Sequence, residues 1–91
     1  MDINIIKNSK NEIEFEMLEK NPTLPEVLVH YLNQREEVEF AGYDWAHPFI
    51  AFPKVVLKTH SDTKASEVLF ETIEKIRKEM SSLKEALKKV E

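Results

Sequence analysis

The sequence of 91 residues contains no cysteine and a single glycine, Gly42. Without cysteine the chain has no disulfide, no zinc site built on thiolates and no cysteine nucleophile. This composition is compatible with a reducing cytosol, and the location that we expect is cytoplasmic. Phosphate-binding loops of the P-loop and dinucleotide types need several glycines, so both are excluded.

Positive charge and long hydrophobic runs are also scarce. The net charge is −4, whereas a protein that binds the phosphate backbone by itself is usually basic, so no direct contact with nucleic acid is expected. No apolar run approaches the ~20 residues of a membrane span, and the first residues do not resemble a signal peptide. The length predicts a single domain over residues 1–91, and the 42% of hydrophobic residues suffice for a core.

The last third of the chain has the clearest pattern. Seven apolar residues, at alternating steps of four and three, form what we call the apolar stripe: Leu69, Ile73, Ile76, Met80, Leu83, Leu87 and Val90. This spacing predicts a helix of roughly 28 residues, about 42 Å long. A body of this length is only about 30 Å across, so the helix is expected to overhang it. Either a partner covers the stripe, which indicates an interaction module, or the last turns fray and the stripe is core.

The preceding residues predict four strands and a short helix. The predicted strands are 2–8, 12–18, 37–45 and 54–60, and the helix is 24–35. Thr23 and Glu26 fit a capping box at the start of this helix, and Ser61, Asp62 and Thr63 are predicted N-caps for the long one. The order β-β-α-β-β-α predicts an α+β fold of two layers, with both helices on one face of an antiparallel or mixed sheet.

Alternation assigns the faces of the strands. In the second strand Ile13, Phe15 and Met17 are predicted to be buried, with three glutamates on the outer face. In the fourth strand Val55 and Leu57 share one face. The third strand is predicted to place Val38, Phe40 and Gly42 on one face and Ala41, Tyr43 and Trp45 on the other. Gly42 inside that strand suggests a bulge or a close approach of another backbone.

No set of residues indicates catalysis or a cofactor. The three histidines, His30, His47 and His60, lack the spacing of metal ligands on a helix, and no serine lies in a sharp strand-to-helix turn. The glutamates of the second strand are typical of a hydrated face rather than of an acid/base pair. Four aromatic residues occur within ten positions: Tyr43, Trp45, Phe49 and Phe52. They predict either an exposed docking patch or a loop packed under the sheet.

Several segments together resemble a known family. They are Asn11 to Glu16, Thr23-Leu24, Val38 to Tyr43 followed by His47-Pro48, Lys58-Thr59, and the long charged helix. In this order they resemble subunit L of archaeal DNA-directed RNA polymerase, whose eukaryotic counterpart is the smaller alpha-like subunit. The start of the first helix departs from the family pattern, because Pro25 stands where a glycine is usual.

The resemblance implies a dimerisation domain like that of the polymerase alpha subunit. Such a chain is a non-catalytic assembly subunit that pairs with the larger alpha-like subunit of the polymerase, while a large subunit holds the active-site magnesium. The implied partner interface consists of Leu24, Val27, Leu28, Tyr31, Leu69, Phe70, Ile73, Ile76, Met80 and Leu83. The implied contact with a large subunit consists of Tyr43, Trp45, His47, Pro48 and Phe49.

Two other hypotheses stay open at this point. The same apolar helices could pair with themselves in a free-standing homodimeric α+β module that regulates or binds a ligand. A small enzyme would need a converged set of polar residues, which the sequence does not reveal.

Overall fold

Four strands form one antiparallel sheet in the order β1-β2-β4-β3. The computed structural model describes residues 3–18, 23–44 and 52–90. The elements are β1 (Ile3–Asn8), β2 (Glu12–Met17), α1 (Thr23–Leu32), β3 (Val38–Asp44), β4 (Lys54–Thr59) and α2 (Ala65–Lys88). The predicted α+β fold and its element order are therefore confirmed, and the sheet is antiparallel throughout.

The hydrophobic core lies between one face of the sheet and the two helices. In β2 and β4 the alternation predicted from the sequence is confirmed, because Ile13 pairs with Leu57 and Phe15 pairs with Val55, and all four side chains are buried. The buried hydrophobic residues of the other elements are Met17, Leu28, Leu32, Ala41, Ala65 and Val68. Val29 and Val38 pack against this cluster as partly buried residues.

The bulge in β3 lies at a different place from the one predicted. Val38 pairs with Thr59 but Phe40 pairs with Lys58, so Glu39 is an extra residue in β3. An extra residue reverses the alternation, and Val38 therefore packs on the core while Phe40 is 51% exposed. The prediction that these two residues share a face was wrong. Gly42 makes a close approach to the ring of Phe40: a Cβ there would lie 3.0 Å from the end of that ring.

The outer face of the sheet carries the predicted glutamates of β2, but each has a partner. Glu12 pairs with Lys7 and Glu14 pairs with Lys54, both at 3.0 Å, and the Asn4 amide donates to Glu16 at 3.0 Å. The neighbouring carboxylate raises the pKa of Lys54 through this hydrogen bond. Acid and base therefore alternate on this face, and the net field there is weaker than the glutamates alone would produce.

Both predicted helix caps differ from the structure. The first helix already includes Thr23, and it ends at Leu32 rather than at residue 35. The Glu26 carboxylate accepts a hydrogen bond from the Tyr43 hydroxyl at 2.6 Å. The N-cap of α2 is Lys64, which makes no side-chain cap hydrogen bond. The predicted caps at residues 61–63 were wrong because a distant loop performs this role.

That loop is the turn between β1 and β2. The Lys10 carbonyl accepts a hydrogen bond from the Ala65 N–H at 2.7 Å, which satisfies one of the free donors of the first helical turn. The Asn11 amide donates to the carbonyls of His60 and Thr63 at 2.7 and 2.9 Å. The β1–β2 turn therefore fixes the direction in which α2 leaves the sheet.

We expect the substitution Asn11→Ala to destabilise the fold by about 1–2 kcal/mol, because two backbone carbonyls lose their donor. Asn8→Ala is the matched control, since Asn8 is exposed at the end of β1 and its replacement should change stability by less than about 0.5 kcal/mol. Urea unfolding followed by circular dichroism measures both. Equal midpoints for the two variants would contradict the anchoring role of Asn11.

Candidate functional site: an apolar groove and an exposed helix stripe

The face of α2 that packs on the sheet differs from the apolar stripe. Its buried residues are Ala65, Val68 and Thr72, and the Thr72 hydroxyl donates to the Val68 carbonyl at 2.8 Å. This face is weakly apolar, so the sequence pattern did not reveal it. The helix needs only these small side chains to pack on its own body, which leaves the stripe beside them.

The apolar stripe is largely uncovered by the described residues. Leu69 and Ile76 pack partly against the core, whereas Ile73 is 46% exposed and the exposure increases towards the end of the helix, to 81% at Val90. The helix has 24 residues, which corresponds to about 36 Å. The interpretation that the stripe is simply core is therefore wrong for its outer half, although the helix is shorter than the predicted 28 residues.

An apolar groove begins where the stripe reaches the body. It has a volume of about 220 Å³ and lies between α1, α2 and the β1–β2 edge of the sheet. Its lining side chains are all apolar: Ile3, Phe15, Met17, Leu24, Leu28, Leu69, Ile73 and Ile76. Five of the residues predicted for the partner interface meet there. Leu28 is only 5% exposed and contributes to the floor of the groove.

The other five predicted interface residues lie outside the groove. Val27 and Tyr31 are half-buried on α1. Phe70 is 66% exposed and borders a separate hollow with charged neighbours. Met80 and Leu83 continue the stripe beyond the groove, and they are 57% and 54% exposed. The groove and the outer stripe therefore form one continuous apolar surface along α2.

Polar contacts hold α1 and α2 at a fixed angle beside the groove. The Tyr31 hydroxyl donates to the Glu79 carboxylate, which raises the pKa of Tyr31. Arg35, just after α1, donates to Glu37 at 2.8 Å and to Glu71 of α2 at 2.7 Å. The hydrogen bond from Arg35 lowers the pKa of Glu37, and the same bond raises the pKa of Arg35.

The acid-first i,i+4 spacing along α2 favours the ion pairs Glu71–Lys75, Glu74–Lys78 and Glu85–Lys89, but other pairs form among the described residues. Glu71 binds Arg35 instead, and Glu74 pairs with Arg77 at 3.2 Å. Glu85 pairs with Lys88 at 3.6 Å. The carboxylate nearest to the body is thus used between elements, because the guanidinium of Arg35 offers several donors in one plane.

Sequence reasoning missed the contribution of β1 to this surface. Ile3 lines the groove, and Ile3 and Ile5 pair with the buried residues Met17 and Phe15 of β2. They therefore lie on the helix-bearing face of the sheet, yet each is 49% exposed because the helices do not reach over this edge strand. The alternation of Ile3 and Ile5 carried the signal, but only the strand order shows that the edge is open.

The predicted contact with a large subunit is described only at Tyr43. This residue packs partly on the core, and its bond to Glu26 raises the pKa of its hydroxyl. Trp45, His47, Pro48 and Phe49 lie outside the described residues. Within the described ranges, no group of three or more histidine, aspartate or glutamate side chains is placed to hold a metal ion.

The family profile of the RNA polymerase Rpb3/Rpb11 dimerisation domain matches residues 12–86. This chain belongs to that family. The Rpb3/Rpb11 match includes both helices and three of the four strands, and thus most of the groove and almost the whole stripe. The resemblance noted in the sequence is confirmed.

Relatives extend this Rpb3/Rpb11 assignment over nearly the whole chain. The chain is 31% identical to DNA-directed RNA polymerase subunit Rpo11 of Methanocaldococcus jannaschii, with 97% of each chain covered. It is 33% identical to Rpo11 of Thermococcus onnurineus, with 99% of this chain and 97% of the relative covered. The crystal structure of DNA-directed RNA polymerase subunit L from Thermoplasma acidophilum superposes with a TM-score of 0.85 at 26% identity. That superposition covers 97% of this chain and 86% of the other.

The described part of this Rpb3/Rpb11 family member contains no helix that is both long and apolar enough to cross a membrane. The long helix α2 alternates its stripe with charged residues, which explains the result. Its apolar surface is one-sided and of a kind that another protein surface can cover.

Proposed function

We propose that this chain is a non-catalytic assembly subunit of DNA-directed RNA polymerase, built as one alpha-like domain. Its role is to pair with the larger alpha-like subunit, and so to form a platform on which the large subunits assemble in the cytoplasm. The single observation that carries this proposal is the continuous uncovered apolar surface made by the groove and the stripe.

The size of this surface supports pairing with a protein rather than binding of a small ligand. Small-molecule sites are concave and include a few convergent polar groups. The described lining of the groove contains no polar side chain, and the groove continues into the exposed outer half of α2. Contiguous apolar patches of this kind on a small domain mark sites of protein–protein interaction.

The interface that we propose uses the predicted residues in two parts. The inner part is the groove, in which Leu24, Leu28, Leu69, Ile73 and Ile76 would receive a partner helix. The outer part is the helix surface around Met80 and Leu83, with Val27, Tyr31 and Phe70 at its borders. We further propose that Tyr43, with the segment of Trp45, His47, Pro48 and Phe49, contacts a large subunit, as the family resemblance implies.

Purification of a tagged copy from the cells that encode it, followed by mass spectrometry, tests the proposal. We expect the large polymerase subunits together with one larger alpha-like subunit, in equal amounts. Recovery of the tagged chain alone, as a dimer, would contradict the assembly role and favour a free-standing homodimeric module.

A further inference from the structure

One edge of the apolar stripe is basic and open to solvent. The residues that directly follow Leu69, Ile76 and Leu83 form a row at steps of seven: Phe70, Arg77 and Lys84. Seven residues make almost two helical turns, so these side chains lie above one another beside the stripe. Phe70 is 66% exposed, the Arg77 side chain is 76% exposed, and Lys84 is exposed. We call the cationic part of this row, Arg77 and Lys84, the basic edge.

The opposite edge of the stripe faces the chain's own body. Its row consists of Thr72, Glu79 and Ala86. Thr72 is buried against the sheet, and the Glu79 carboxylate accepts the hydrogen bond of Tyr31 from α1. A helix that covers the stripe near the body must therefore approach from the basic edge, because α1 occupies the other side.

The surface next to the basic edge has the form of a shallow hollow with an apolar floor. Its volume is about 330 Å³, and its lining residues are Met80, Leu83, Lys84, Leu87 and Lys88. Among the described residues, no acidic side chain lines it. Both charged members are lysines at its rim, so a segment seated on this floor meets positive charge.

The cations here are held only weakly within the chain. Arg77 contacts Glu74 at 3.2 Å and Lys88 contacts Glu85 at 3.6 Å, three residues apart along one exposed helix surface. Exposed pairs of this type contribute about 0–1 kcal/mol, so a partner carboxylate can replace either glutamate at little cost.

From this arrangement we infer that the outer half of α2 binds an acidic amphipathic helix of its protein partner, with carboxylates opposite Arg77 and Lys84. In paired helices the apolar stripe provides affinity, while the residues that flank it select partner and orientation by charge. The inference rests on the proposed function, to which it adds the chemistry of the partner surface.

A second copy of this chain fits the basic edge poorly. In an antiparallel pair of identical helices the same edges meet, and Arg77 and Lys84 of one copy would face those of the other. In a parallel pair the available carboxylate at the opposite edge is that of Glu79, which already binds Tyr31. Charge therefore favours a different chain with an acidic flank over self-association.

Binding of two synthetic helices to the full chain tests this inference. Both peptides contain four heptads with the same Ile/Leu stripe, and they carry either glutamate or lysine at all flanking positions, which keeps each monomeric. At low ionic strength we expect the glutamate peptide to bind at least about tenfold more tightly, since several exposed pairs together amount to about 1.4 kcal/mol. Equal affinities, or no binding of either peptide, would overturn the inference.

Charge reversal identifies the residues responsible. The double variant Arg77→Glu/Lys84→Glu should lose the preference for the glutamate peptide or prefer the lysine peptide. The control Lys78→Glu/Lys89→Glu carries the same change in net charge at positions away from the stripe edges, and it should keep most of the preference. A preference that falls equally in both variants would mean that net charge alone is recognised, which would overturn the assignment to the basic edge. Recovery of the polymerase by the tagged chain is measured separately, so a negative peptide result leaves the assembly role standing.

Discussion

The double substitution Met80→Asp/Leu83→Asp is expected to abolish the complex with the larger alpha-like subunit while the chain stays folded. Both side chains are more than half exposed in the isolated chain, so aspartate there meets water and costs little stability. In the complex the two carboxylates would be buried without partners, which costs several kcal/mol. We expect the affinity to fall by roughly 1,000-fold, equivalent to about 4 kcal/mol.

The matched control is Ser81→Asp/Ser82→Asp. These serines lie between Met80 and Leu83 on the same exposed turn, but they point away from the stripe, so the same two charges stay in water. Isothermal titration calorimetry with the purified partner measures both variants, and circular dichroism verifies that each is helical. If the two double variants bind equally well, the outer stripe is not part of the interface.

The second large effect concerns the core. Leu57→Ala removes a side chain with 0% exposure at the centre of β4, where it pairs with Ile13 and Ala41. Truncation of a buried leucine to alanine costs about 2–5 kcal/mol through lost burial and the cavity that remains. A domain of this length has little stability in reserve, so we expect the melting temperature to fall by roughly 10 °C or more.

Val56→Ala is the control for Leu57→Ala. Val56 is the next residue of the same strand before Leu57, but it lies half-buried on the outer face, opposite Gly42 and Glu14. We expect a cost below about 1 kcal/mol, mainly from the lost preference of valine for strands. Unfolding at one protein concentration compares the two, because association shifts apparent stability. A smaller loss for Leu57→Ala than for Val56→Ala would contradict the assignment of the two faces.

The sequence predicted those features of the fold that depend on local periodicity. Ile13, Phe15 and Met17 alternate with glutamates over six residues, and this pattern fixes both the strand and its buried face. The four-three spacing of the stripe fixes the existence of α2 in the same way. In each case the signal needs no knowledge of what the element packs against.

Features that depend on distant pairing were not predictable in this way. The bulge at Glu39 exists because of the register between β3 and β4, which reverses the faces of Val38 and Phe40. The start of α2 is fixed by the Lys10 carbonyl, which belongs to a turn far earlier in the chain. Local side chains near residue 62 offered plausible caps, but a backbone acceptor from another turn took precedence.

The candidate site shows a different limit. An apolar stripe at helical spacing has the same composition whether it faces its own core or a partner. Length made the difference, because a helix longer than its body must carry part of its stripe outside. The core face of α2, with Ala65, Val68 and Thr72, is made of small residues, and their pattern is too weakly apolar to compete with the stripe.

The most direct test of the central claim is the mass of the complex formed by coexpression of this chain with the larger alpha-like subunit of the same cells. Light scattering after size-exclusion chromatography gives that mass without reference to shape. We predict a single species with one copy of each chain, in which the groove and the stripe are covered. Separate elution of the two chains, with this chain as a stable homodimer, would contradict the account.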